Sequence, residues 1–204
     1  MLYLYDNAIV DDLEKSFNPD NVPNPVVKVI GPEEISGIAA QAQNDELSFP
    51  IVVLNRSQDV QYDMNRFNFT RANKGVPAEY DSKENIIYME KALPINLEYT
   101  LHVITTSQVD MDELVKELLF KYTQQFFLVI HTPYEAKRPM RFGIQITPES
   151  GVSYEKTSKD YWEKGTLYEA IIHLRCTGCV LLSYTPRKVT QLCIEKDIVL
   201  QQNL

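Results

Sequence analysis

The chain has 204 residues, enough for one domain with an arm or a large loop, and 44% hydrophobic residues including 12 Tyr and 8 Phe, enough for a sizeable core. Its formal charge of −8 argues against a protein that grips nucleic-acid phosphates. Three cysteines do not suggest a disulfide scaffold and point to a reducing compartment. The start, MLYLYDNAIVDDLEK, has neither the basic region nor the long apolar run of a secretory signal. No apolar stretch approaches the ~20 residues that cross a bilayer.

In chain order, residues 1–25 read as an arm or connector. Asp11 to Phe17 suits a short helix, which SFNPDNVPNP then breaks. PVVKVIG (25–31) suits a strand, and PEEISGIAAQAQ a short helix opened by Pro32 with two Glu at its positive end. FPIVVLNRS (49–57) reads as a buried strand. Residues 59–80 are polar, with the alternating NRFNFTR and the turn signal NKGVP, and 84–94 form a short element. From Pro94, Ile95, Leu97, Tyr99, Leu101 and Val103 fall on one face of a strand, with Asn96, Glu98, Thr100 and His102 on the other.

Ser107 is placed to cap a helix over 108–125, with Asp110 three residues on as in a capping box. Asp110, Asp112 and Glu113 then crowd its first turn, and Met111, Leu114, Val115, Leu118, Leu119 and Tyr122 form its apolar stripe. Lys116, Glu117 and Lys121 are expected to face out. FFLVIHT (126–132) is apolar on both faces, which predicts a place in the interior of a sheet. RFGIQIT (141–147) alternates. Residues 148–166 read as a projecting loop or hairpin, and 168–184 and 188–199 as the last strands, joined at TPR. The expected fold class is therefore α+β: a mixed or antiparallel sheet on one main amphipathic helix, plus a short N-terminal helix. The expected division is an arm over 1–25 and a single domain over 26–204.

No constellation predicts catalysis, a cofactor or a metal. Cys176 and Cys179 are three apart in a strand-like context, so they point to opposite faces and do not converge on an ion. His102, His131 and His173 lie on separate predicted strands, which favours hydrogen-bonded structural roles. There is no GxSxG elbow and no phosphate-binding glycine loop. Two groups are candidates for protein contact, because Arg and aromatic side chains dominate interface hot spots. Arg66, Phe67, Phe69 and Arg71 form one, although basic and aromatic residues so interleaved also suit single-stranded nucleic acid. Tyr154, Tyr161 and Trp162 form the other, although a loop that folds back and buries Trp162 is an equal alternative.

The segment LPINLEYTLHVITTSQVDMDELVKELLFKY, followed by FFLVIHTP and RFGIQIT, resembles the tail-terminator and tail-completion (neck) proteins of tailed phages and contractile particles. The likeness covers about residues 90–195. It implies a non-enzymatic virion subunit, assembled in the host cytoplasm into a homo-hexameric ring. That ring caps the tail tube, holds the last sheath ring where the tail contracts, and meets head-completion proteins. An acidic lumen would let DNA pass without specific binding. No cofactor and no membrane is implied. A head-completion or portal adaptor is the alternative within the same biology, and a small cytosolic ligand-binding or enzymatic α+β domain the alternative outside it.

Overall fold

The computed structural model describes residues 1–17, 25–29, 49–63, 65, 76–81, 86–133, 139–148, 150–156, 167–182 and 187–190. The chain forms two compact units. The first comprises Met1–Gln61, Asn96–Ile130 and Pro139–Gly178, and the second Tyr62–Ile95, His131–Arg138 and Cys179–Leu204.

The elements run α1 (Leu2–Ser16), β1 (Val26–Val29), β2 (Ile51–Tyr62), β3 (Val76–Asp81), β4 (Ile86–Glu90), β5 (Ala92–Thr105), α2 (Gln108–Tyr122), β6 (Phe126–His131), β7 (Pro139–Ile146), β8 (Val152–Lys156), β9 (Tyr168–Leu181) and β10 (Arg187–Thr190). One sheet has the order β1-β2-β5-β9-β7-β6, with β8 also paired to β9. It is mixed, since β1 runs parallel to β2 and β7 antiparallel to β9. The fold class is α+β, as expected. The second unit holds a three-stranded sheet, β10-β4-β3, antiparallel throughout.

β5 keeps the expected alternation. Ile95, Leu97, Tyr99, Leu101 and Val103 are all buried, while Glu98 is exposed and Thr100 and His102 are half-buried. On the buried face the Tyr99 hydroxyl reaches Asp6 of α1, and the opposite face carries polar pairs. His102 Nδ1 lies 2.7 Å from Glu169 Oε1, and Thr100 Oγ1 3.4 Å from His173 Nδ1. At the edge of that second face, Ile51, Val53, Ile104 and Leu167 make a separate apolar cluster with Phe49. This explains why β2 begins with four residues buried on both sides.

Four expectations need correction. The N-terminal helix is not confined to 11–17. It spans Leu2–Ser16, and Tyr5, Ile9 and Leu13, four residues apart, are wholly buried. α2 starts after Ser107 as expected, with Ser107 in an extended conformation, but its side chain makes no cap hydrogen bond, and among the acids only Asp110 lies in the first turn. Lys121 does not face out but reaches α1. β6 is not interior. Among the described residues it ends the sheet, and alternate side chains Phe127 (60%) and Val129 (42%) are exposed while Leu128 and Ile130 are buried. Within 148–166, β8 (Val152–Lys156) pairs antiparallel with β9.

β7 and β8 pair in succession along β9, Gly143–Ile146 against Thr177–Leu174 and Val152–Lys156 against Ile172–Tyr168. Between them the chain bulges at Thr147–Gly151. The Thr147 N–H donates to the His173 carbonyl at 2.9 Å, and Gly151 takes φ +56°, where a side chain is disfavoured. The bulge sets the register that places Tyr154 opposite Ala170, on the helix-bearing face.

Candidate interaction surfaces

α1 is held by two aspartates that repeat one arrangement. Asp6 accepts from the Tyr99 hydroxyl at 2.8 Å and pairs with Arg56 at 2.6 Å. Asp12 accepts from the Tyr122 hydroxyl at 2.6 Å and pairs with Lys121 at 2.7 Å, and Lys121 also donates to Ser16. Each half-buried carboxylate therefore has one phenol and one cation, which is how buried charge is tolerated. Burial, and then the neighbouring aspartate, push both Tyr99 and Tyr122 far above the ordinary phenol range. Lys121 further lies 5.0 Å from the Phe126 ring centroid, so α1, α2 and β6 are tied at one point. At the other end of α1, the Tyr5 ring packs edge-on against Phe142 at 4.8 Å. It lies so close to Gly178 that an added Cβ there would meet it at 2.6 Å.

These contacts tie α1 to α2 and the sheet, and the outer side of α2 is exposed at Asp112, Lys116 and Phe120. A groove of about 500 Å³ opens there. It is lined by Asp112, Val115, Lys116, Leu119, Phe120 and Thr123 and by Tyr154 of β8. Phe120 is 83% exposed and Tyr154 60%. Burial, and then the Asp112 carboxylate, raise the Tyr154 phenol above its ordinary value. The second unit carries its own apolar groove, between Lys91–Leu93 and Val180–Leu182, with Leu182 largely exposed.

Of the residues expected to make protein contacts, Tyr154 lines the α2 groove. Arg66, Phe67, Phe69, Arg71, Tyr161 and Trp162 lie outside the described residues. Sequence reasoning missed Asp112, Leu119 and Phe120 as surface groups. Phe120 carried a signal, because it is a large apolar residue off the helix's buried stripe. Among the described residues no three His, Cys, Asp or Glu side chains come together as a metal site. Cys176 is a buried free thiol and Cys179 a half-buried one. No helix among the described residues is long and apolar enough to cross a membrane.

No family model and no curated protein matches the chain. Among solved structures it is similar to the PVC sheath/tube terminator of an extracellular contractile injection system, determined by cryo-EM in the extended state, with a TM-score of 0.48 and 13% identity. The match covers 93% of this chain and 60% of that one, so the chain spans three-fifths of its neighbour's length.

Proposed function

We propose that the chain is a structural subunit of a phage-type or contractile tail, a terminator or neck ring component that acts through its surfaces rather than by catalysis. The unit β5–α2–β6–β7 carries the reading. It follows the strand, helix, strand, strand order of the family resemblance over Pro94–Ile146, and it leaves β6 as a sheet edge with Phe127 and Val129 exposed. An edge strand bearing apolar side chains is a liability in a free monomer and an asset in a subunit that pairs with neighbours. On this reading the chain forms a homo-hexameric ring. It contacts tail-tube protein, sheath protein where the tail contracts, and head-completion proteins. DNA passes the acidic lumen unbound, and the assembled particle is the working location.

Tube growth tests the role. Added below one ring per tube end, the chain should shorten polymerising tail tubes in proportion to its concentration and should appear at one end only under electron microscopy. Tubes of unchanged length, with the chain absent from their ends, would exclude a terminator and favour a head-completion adaptor.

A further inference from the structure

We draw no further inference here: the strongest candidate, the groove between the outer side of α2 and β8 lined by Val115, Leu119, Phe120 and Tyr154, is an apolar surface, and nothing in the structure shows what covers it.

Discussion

Asp6 and Asp12 show how much depends on single side chains in α1. Each carboxylate draws a buried phenol and a cation from other elements, so removing one member leaves the others unmatched. Asp6→Ala strands the Tyr99 hydroxyl and should cost about 2–3 kcal/mol by urea denaturation, the range for hydrogen bonds to charged groups. The phenols also set an alkaline limit. In the unfolded chain they ionise near pH 10, whereas in the fold Tyr99 and Tyr122 hold their protons well beyond it. The unfolded state therefore binds fewer protons above about pH 10, and the stabilisation is complete below that pH and lost as pH rises past it. Each phenol should contribute a slope of about −1.4 kcal/mol per pH unit there. Tyr99→Phe and Tyr122→Phe should each remove one such share, seen in denaturation midpoints measured across the alkaline range. An unchanged slope in both would show that the phenols ionise freely in the fold.

The glycines separate two kinds of constraint at the same scale. Gly178→Ala forces a methyl group into the Tyr5 ring, which is wholly buried and wedged against Phe142. It should cost about 1–3 kcal/mol as overpacking. Gly151→Ala meets nothing within 4 Å but must hold φ +56°. It should cost about 1 kcal/mol through the backbone alone. Paired melts of the two variants check the order, and a costlier Gly151→Ala would contradict the packing at Gly178.

Among the elements, β5 and α2 were the most legible, because each buries one regular face and so writes its period into the chain. α1 was less so. Its core positions Tyr5, Ile9 and Leu13 follow a helical spacing, but the inward-pointing Asp6 and Asp12 interrupt the stripe, and Met1 provides no side-chain cap to mark the start. Only the partners supplied by distant elements make those acids compatible with burial. Ile9→Ala should accordingly cost about 2–5 kcal/mol, as a fully buried truncation does. A loss under 0.5 kcal/mol would mean that α1 is a loosely attached arm after all. β6 was misread for a different reason. Apolarity on both faces of a strand signals burial on both sides, and the sequence does not distinguish burial by this chain from burial by another. Phe127→Lys should therefore leave the stability of the isolated chain within about 0.5 kcal/mol, as surface changes do, while lowering any self-association. Denaturation and sedimentation of the same sample read both effects. The α2 groove was illegible because Tyr154 reaches it only through the Thr147–Gly151 bulge, which sets the register of β8 on β9.

At the scale of the whole molecule, a helix-stapled sheet presents an edge strand and an apolar groove beside α2, and the second unit presents a groove of its own between Lys91–Leu93 and Val180–Leu182. Those surfaces are the ones that the proposed ring subunit would use to meet other proteins. The most direct test is mass by light scattering, for the chain alone and mixed with its tail-tube protein. The account predicts six copies, formed alone or on meeting the tube protein, in a complex that stops growing once formed. A monomer that stays monomeric and shows no added mass with tube protein would contradict it.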